Sequence, residues 1–182
     1  QSVNTICFEN NKIKGPNTDI EGFRLAIQDL KIDVKNKKIL ILGAGGVVSS
    51  LIAALNKMQI SGIMLMNRTL NKAANLKKLF KNLNIIEWGE LPDFDIIINA
   101  TSIGLDKDDK LDLDFSKIGK NKFFYDVIYN PDETNFLKMG KKLGHKVENG
   151  KRMFIYQALM SFNLWHGIKP HVNNEVIKLL AE

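Results

Sequence analysis

Along most of this chain, short continuous apolar runs alternate with longer stretches in which apolar residues recur at helical spacing. Short continuous apolar runs with a charged lead-in, such as Lys38–Leu42, are typical of strands buried on both faces of a parallel sheet. The stretches between them, such as VVSSLIAALNKM and AANLKKLFKNL, carry apolar residues at helical spacing. Strands that alternate with helices of this length predict an α/β fold with a doubly wound parallel sheet.

The same pattern gives approximate limits for the elements. Strands are predicted at 38–42, 63–66, 84–86, 94–98, 123–128 and 146–147, and helices at 21–30, 47–58, 73–83, 134–143, 153–165 and 174–180. The first nineteen residues break the alternation, and Glu9-Asn10-Asn11 predicts a hairpin turn or an edge connection.

Composition excludes several classes of protein. With 182 residues, 45% of them hydrophobic, the chain can form one sizeable core, and no apolar run reaches the roughly 18 residues that span a bilayer. The net charge is +6, but no aromatic-plus-basic repeat or zinc spacing accompanies it, so we expect a small phosphorylated ligand rather than nucleic acid or membrane. The single Cys7 cannot form an internal disulfide, which indicates a reducing, cytoplasmic location.

Two further observations concern metals and the chain's first residue. The histidines, at positions 145, 166 and 171, have no spacing typical of metal ligands, so we expect surface or loop residues and no metal. Because residue 1 is Gln, we expect the chain to start at an engineered boundary or a cleavage point.

A glycine-rich turn follows the first buried strand and precedes a helix. It reads Gly43-Ala44-Gly45-Gly46-Val47. A dinucleotide pyrophosphate needs a tight turn, close backbone approach and the free N–H groups of a helix N-terminus, and the glycines supply the first two. An ordinary glycine turn is the alternative, but the order strand, turn, helix favours a Rossmann-type nucleotide-binding domain.

The end of the second strand indicates which dinucleotide is bound. NAD-specific sites usually place an acid there, on the ribose 2′-hydroxyl, whereas this chain has Asn67, Arg68 and Thr69, with Lys72 one turn later. A guanidinium, a hydroxyl and an ammonium suit a 2′-phosphate, so we predict NADP as the cofactor. The alternative is that Thr69 caps the next helix and Arg68 is solvated.

Eight short motifs extend this interpretation. VNT, GPNTDIEGF, GAGG, NRT, INATSIG, DVIYNP, NGKRM and QALMSFNLWHG occur in this order. Through this ordered set the chain resembles the shikimate dehydrogenases, NADP-dependent enzymes of aromatic amino-acid biosynthesis, from residue 1 almost to residue 182. The resemblance implies reversible reduction of 3-dehydroshikimate to shikimate with NADPH, and it allows a homodimer.

The resemblance also implies roles for the N-terminal motifs. Asn4 and Asp19 would bind hydroxyls of shikimate, and Asp19 would be catalytic beside a lysine that the family places before VNT. We therefore expect a remnant of the substrate domain at 1–20, an NADP-binding domain at 21–150, helices packing between the domains at 151–182, and an inactive chain on its own. From the residues alone, NTD is instead an Asx-type turn before a helix.

Two more residues are implied to reach the substrate from the cofactor side. Tyr129 follows a strand, at the edge where open α/β sheets bind ligands, and its alternative role is ring packing beside Pro131. Gln157 lies in an apolar helix, where its amide is either a satisfied core group or a substrate partner.

The nicotinamide half of the cofactor has its own implied residues. The loop residues are Thr101, Ser102 and Gly104, and the backbone contacts are Val127 and Gly150. We expect Asn99 to support its loop, and we expect packing within a helix from Met153, Phe154, Phe162 and Trp165. The chain departs from the family's usual small or apolar residues at Val47-Val48 and at Lys151-Arg152.

Three alternatives remain open at this point. A quinate/shikimate dehydrogenase that uses NAD tends to carry an acid after the second strand, where this chain has Thr69 and Leu70. A glutamyl-tRNA reductase shares the glycine turn and an NRT-like stretch, but it lacks the NTD, YNP and QA elements. A non-catalytic NADP-binding module, either a sensor or an inactive paralogue, would also lack the catalytic lysine.

Overall fold

A computed structural model describes residues 2–179 of the chain. In this range a six-stranded parallel sheet is flanked by helices, and a small antiparallel hairpin precedes it. The strands are β1 (Cys7–Glu9), β2 (Lys12–Lys14), β3 (Lys38–Leu42), β4 (Gly62–Met66), β5 (Leu83–Ile86), β6 (Ile96–Asn99), β7 (Phe123–Asp126) and β8 (Lys146–Glu148). The helices are α1 (Asp19–Asp29), α2 (Val48–Leu55), α3 (Leu70–Leu79), α4 (Asn135–Lys142), α5 (Lys151–His166) and α6 (Asn174–Leu179).

The order of strands in the large sheet is β5-β4-β3-β6-β7-β8, and each neighbouring pair is parallel. The chain moves outward from β3 in one direction and then returns to continue in the other. This reversal of strand order between β3 and β6 creates the crevice in which open α/β sheets bind ligands. The predicted fold class, a Rossmann-type doubly wound parallel sheet, is confirmed.

The sheet is covered on both faces, which explains the continuous apolar run of β3. Ile39 and Ile41 lie in one core cluster with residues of α1 and α2, whereas Leu40 and Leu42 lie in a second cluster on the opposite face. Alternate side chains of a strand point to opposite faces, so burial of both faces makes Ile39–Leu42 apolar without interruption. Burial of each such side chain contributes about 1.5–3 kcal/mol of hydrophobic stabilisation.

Some predicted limits differ from the structure. The strand predicted at 94–98 begins at Ile96, because Phe94 turns into the second core cluster and the Asp95 carboxylate accepts from the Lys38 backbone N–H at 2.8 Å. The predicted terminal helix included Leu180, which lies outside the described residues. The hairpin is confirmed, with Asn10 and Asn11 at φ values of 50° and 58°, the left-handed conformation that a tight hairpin turn requires.

Helix α5 differs from the expectation at its C-terminal end. Met153 is buried as predicted, and the Phe162 ring packs against His166 of the same helix with centroids 4.4 Å apart, although Phe162 is 40% exposed and Trp165 is 57% exposed. The indole of Trp165 contacts the N-terminal segment instead of the sheet, and its Nε1–H donates to the Ile6 carbonyl at 2.9 Å.

The division of the chain at residues 20 and 150 stays a proposal. Helix α1 begins at Asp19 and packs along α5, so the first proposed boundary falls inside a helix. No helix within residues 2–179 is both long enough and apolar enough to cross a bilayer.

Candidate functional site

A cavity of about 310 Å³ lies at the carboxyl ends of β3, β4 and β6. It is formed by the glycine turn after β3, the loop after β4 and the loop after β6. Among its lining residues are these predicted cofactor residues: Gly43, Ala44, Gly45, Asn67, Arg68, Thr69, Lys72, Thr101 and Ser102.

The glycine turn fits the close approach that a dinucleotide requires. Gly43 has φ 103°, and a Cβ there would lie 2.7 Å from the Ala100 carbonyl oxygen, so only glycine suits this position. A Cβ on Gly45 would meet the same oxygen at 3.9 Å, and one on Gly46 would meet nothing within 4 Å. The turn is therefore packed on its inner side at Gly43 and open on its outer side at Gly46, directly before α2.

The loop after β4 presents the groups predicted for a phosphate. The Asn67 Nδ2 donates to the Thr69 carbonyl at 2.8 Å and so fixes the loop, while Arg68 and Lys72 are exposed. Thr69 occupies the N-cap position of α3, but its side chain makes no capping hydrogen bond. Within residues 2–179, no carboxylate lies within 4.0 Å of the charged groups of Arg68 or Lys72. These groups are therefore free to bind an anion.

The cavity includes residues that the sequence analysis missed. They are Trp88, Ala100 and Ile103. The Arg68 guanidinium carbon lies 6.0 Å from the centroid of the Trp88 ring. No motif in the sequence marks Trp88, because its approach to Arg68 depends on the pairing of β5 with β4.

The remaining predicted cofactor residues do not line this cavity. Gly104, with φ 116°, packs against Thr134, and a Cβ on Gly150 would overlap the carbonyl oxygen of Val127. Close packing alone therefore explains why positions 104 and 150 are glycine. Cofactor contact stays a prediction for every residue of the set, and those outside the cavity are Gly46, Val47, Gly104, Val127 and Gly150.

The loop after β6 is held by a buried polar network centred on Asn99. Its Oδ1 accepts from the Thr101 backbone N–H at 3.2 Å and from the Thr101 hydroxyl at 2.7 Å, and its Nδ2 donates to the Ile103 carbonyl at 3.1 Å. The expectation that Asn99 supports its loop is confirmed. The same Nδ2 contacts Asp126 at 3.1 and 3.2 Å.

Asp126 is fully buried, and sequence analysis did not identify it. Its carboxylate also accepts from the Ile128 backbone N–H at 3.0 Å and from the Thr134 hydroxyl at 2.6 Å. Burial raises the pKa of Asp126 to about 6, although these hydrogen bonds favour its charged form. Asn99 and Asp126 are paired across the neighbouring parallel strands β6 and β7, so their approach depends on a strand order and register that the sequence analysis did not predict.

A second group of predicted residues lies where the N-terminal segment meets α5. The Asn4 Nδ2 donates to the Asp19 Oδ1 at 2.7 Å, and the Asn4 Oδ1 accepts from the Thr18 backbone N–H at 2.8 Å. The Thr18 hydroxyl lies 3.4 Å from the Gln157 Oε1. The structure therefore brings Asn4, Asp19 and Gln157 together around Thr18.

The two Asn-Thr pairs have different roles in this arrangement. The Asn17 Oδ1 accepts from the Asp19 backbone N–H at 3.0 Å, which is the Asx-type turn considered as an alternative above. Since Asn17 forms that turn, the Asp19 carboxylate is available to face Asn4. The half-buried Asp19 carboxyl has a raised pKa because of burial, and the hydrogen bond from Asn4 opposes this shift.

The network continues into α2 and α5. The Asn17 Nδ2 donates to the Ser50 hydroxyl of α2 at 3.0 Å. The hydroxyls of Thr5 and Thr18 lie 2.8 and 3.1 Å from that of Ser161, and all three residues are buried. The second group is thus joined through Ser50 to the helix that starts at the glycine turn.

Tyr129 has a different environment from the other predicted substrate residues. Its ring stacks on Phe154 of α5, with centroids 4.5 Å apart and planes 24° apart, and the side chain is partly exposed. Phe154 precedes Gln157 by one helical turn. The contact of Tyr129 with substrate stays a prediction.

The fold and this cavity define a dinucleotide-binding domain of the Rossmann type. Residues 24–111 match the family described as Shikimate / quinate 5-dehydrogenase. Over 180 residues the chain is 61% identical to the shikimate dehydrogenase (NADP(+)) of Pelagibacter ubique (strain HTCC1062), covering 99% of this chain and 68% of that protein. The chain belongs to the shikimate dehydrogenase family.

Solved structures show the same likeness. Shikimate 5-dehydrogenase from Thermus thermophilus, in complex with NADP(H) and shikimate, is 29% identical, with a TM-score of 0.86 over 99% of this chain and 67% of that one. Quinate dehydrogenase from Corynebacterium glutamicum, in complex with NAD, is 25% identical with a TM-score of 0.86, covering 98% of this chain and 66% of that one. The chain thus spans about two thirds of the length of these relatives.

Proposed function

We propose that the protein is an NADP-dependent shikimate dehydrogenase, which catalyses the reversible reduction of 3-dehydroshikimate to shikimate. The observation that carries the proposal is the connection of two sites. The Asn4–Asp19 pair is joined through Asn17 and Ser50 to the helix that begins at the glycine turn. The names of the Pelagibacter and Thermus relatives support both the cofactor and the substrate.

The residues present fit NADP. The outer side of the turn at Gly46 is open to a pyrophosphate, and the N–H groups at the start of α2 would donate to it. Arg68, Thr69 and Lys72 would hold the 2′-phosphate by charge-assisted hydrogen bonds. When bound, NADP supplies the two-electron oxidation of a secondary alcohol.

The substrate residues would bind and orient that alcohol. Asn4 is fixed by Thr18, so its amide and the Asp19 carboxylate would hydrogen-bond neighbouring hydroxyls of shikimate. No lysine Nζ lies within 4.0 Å of the Asp19 carboxylate in the described part of the chain. Proton transfer needs a base within hydrogen-bond reach. We propose that the 182-residue chain alone binds the cofactor and oxidises shikimate very slowly.

Calorimetric titration of the chain with NADP⁺ and, separately, NAD⁺ tests the cofactor. We expect NADP⁺ to bind about tenfold more tightly, which corresponds to about 1.4 kcal/mol. Arg68→Ala should remove most of this preference, whereas Lys57→Ala, an exposed lysine after α2, should leave it unchanged. Equal or stronger binding of NAD⁺ would refute the proposal and favour the NAD-dependent quinate/shikimate dehydrogenase.

Shikimate-dependent formation of NADPH, followed by absorbance, tests the second part. A rate typical of enzymes, about 1–10³ s⁻¹, would show that the 182 residues contain a complete catalytic site. Cofactor binding without measurable turnover is the expected result. A longer form of the protein that binds NADP⁺ and also fails to oxidise shikimate would identify the non-catalytic module instead.

A further inference from the structure

Trp88 is held in a defined position at the edge of the cavity. It follows β5, the outermost strand on this side of the sheet, and lies second in a turn closed by the Glu90 N–H and the Glu87 carbonyl at 3.3 Å. Gly89, third in the turn, has φ 102°, a conformation that side-chain-bearing residues rarely adopt. The backbone around Trp88 is therefore constrained.

The side chain of Trp88 has two kinds of neighbour. It is half-buried and packs against the second core cluster, which fixes the indole. It also lines the cavity and lies 6.0 Å from the Arg68 guanidinium carbon, within the range of a cation–π interaction. Arg68 has no carboxylate partner within 4.0 Å in residues 2–179, so its contact with the indole can orient it.

We propose that Trp88 is a positioning residue that sets the preference for NADP: its indole holds the Arg68 guanidinium toward the cavity, where the 2′-phosphate of the cofactor binds. An exposed arginine loses rotamer freedom when it binds an anion, and a side chain held in place beforehand loses less. NAD lacks this phosphate, so the gain applies to NADP alone. The inference rests on the proposed function.

The test is a calorimetric comparison of NADP⁺ and NAD⁺ binding across matched variants. We expect Trp88→Leu to weaken NADP⁺ binding by about two- to fivefold, the size of one cation–π contact, with little change for NAD⁺. Trp88→Phe retains an aromatic face and should recover part of the loss. Trp165→Phe, which alters the other tryptophan, should change neither affinity.

A double-mutant cycle separates positioning from a general structural effect. If Trp88 acts through Arg68, then Trp88→Leu should have no further effect on NADP⁺ binding once Arg68→Ala is present. Equal loss of NADP⁺ and NAD⁺ affinity in Trp88→Leu would overturn the proposal, because Trp88 would then contact either cofactor in the same way. Additive effects in the cycle would overturn it as well.

A fluorescence measurement avoids substitution of Trp88 itself. In Trp165→Phe, Trp88 is the sole tryptophan, and its emission should change on addition of NADP⁺. Unchanged emission in a chain that calorimetry shows to bind NADP⁺ would contradict the placement of Trp88. Failure of the unaltered chain to bind NADP⁺ refutes the proposed function instead, so the two failures are distinguishable.

Discussion

The backbone nitrogen of Gln157 lies 2.7 Å from the position that a Cβ on Gly22 would occupy. Helices α1 and α5 therefore approach closely at this point, with Asp19 one turn before Gly22 on α1. The 3.4 Å contact between Thr18 and Gln157 depends on the same approach. Gly22, which is not among the predicted site residues, thus brings the candidate substrate residues Asp19 and Gln157 together.

Gly22→Ala should destabilise the protein. The added methyl would also lie 2.9 Å from the Gln157 Cα, so backbone must move, and we expect a loss of about 1–3 kcal/mol of unfolding free energy. Urea denaturation measures this change. Gly62→Ala is the control, because its Cβ would meet nothing within 4 Å. Equal stability of the two variants would contradict the close helix approach.

Substitutions in the glycine turn should separate folding from binding. Gly43→Ala places a methyl 2.7 Å from the Ala100 carbonyl at φ 103°, so we expect it to lose about 1–3 kcal/mol of stability as well as NADP⁺ affinity. Gly46→Ala meets no protein atom within 4 Å, and so it should weaken NADP⁺ binding with little change in stability. Thermal unfolding and calorimetry measure the two effects.

The Gly46→Ala result also tests where the pyrophosphate lies. An affinity for NADP⁺ equal to that of the unaltered chain would mean that the dinucleotide does not approach this backbone. The Rossmann-type binding mode would then be wrong at Gly46, although the fold would be unaffected.

Asp126→Asn should change how stability depends on pH. The Asp126 carboxyl has its pKa raised from 3.8 to about 6 in the folded protein. A raised pKa means that its contribution to stability is fully present below about pH 4 and is lost as the pH rises through about 6. The stability of Asp126→Asn relative to the unaltered chain should therefore rise over this interval, by on the order of 2–3 kcal/mol.

Urea denaturation of both proteins between pH 4 and pH 7 measures this difference in stability. The contributions of the other acidic residues are common to both proteins and cancel. Asp108→Asn, an exposed acid, controls for the change in net charge. A constant difference for Asp126→Asn would mean that the Asp126 carboxyl titrates alike in the folded and unfolded chain.

Asn4→Ala should raise the pKa of Asp19 further. Burial raises this pKa, and the Asn4 amide lowers it by stabilising the carboxylate, so removing the amide leaves burial less opposed. Carbon-detected NMR titration of the Asp19 carboxyl measures the shift. Asn75→Ala, an exposed position on α3, should have no effect. An unchanged or lowered pKa in Asn4→Ala would show that this hydrogen bond does not form in solution.

The elements that sequence analysis predicted best are those with one dominant signal. The run from Lys38 to Leu42 became β3 with the predicted limits, because burial on both faces leaves an uninterrupted apolar pattern. The strand at 94–98 was displaced because Phe94 is apolar but packs into the core from outside the ladder. Hydrophobicity shows burial, whereas strand limits depend on backbone pairing that a single sequence does not display.

The candidate site was predictable to a similar extent. Glycines and charged residues at strand ends point to a cofactor because their chemistry is local. Trp88 depends on the neighbouring strand bringing it over Arg68, and Asp126 depends on its pairing with Asn99. Such contacts join parts of the chain that have no common motif, so they became visible only with the fold.

The hydroxyls of Thr5 and Ser161 are 2.8 Å apart in space and 156 positions apart along the chain. At roughly 5–20 residues per second, a ribosome takes about 8–30 seconds to make the intervening chain. Throughout that time the N-terminal segment cannot form its hydrogen bonds to α5. Its docking against α5 must therefore be a late step in the folding of the nascent chain. The candidate substrate residues Asn4, Asp19 and Gln157 can therefore come together only after α5 has been made, later than the residues of the glycine turn.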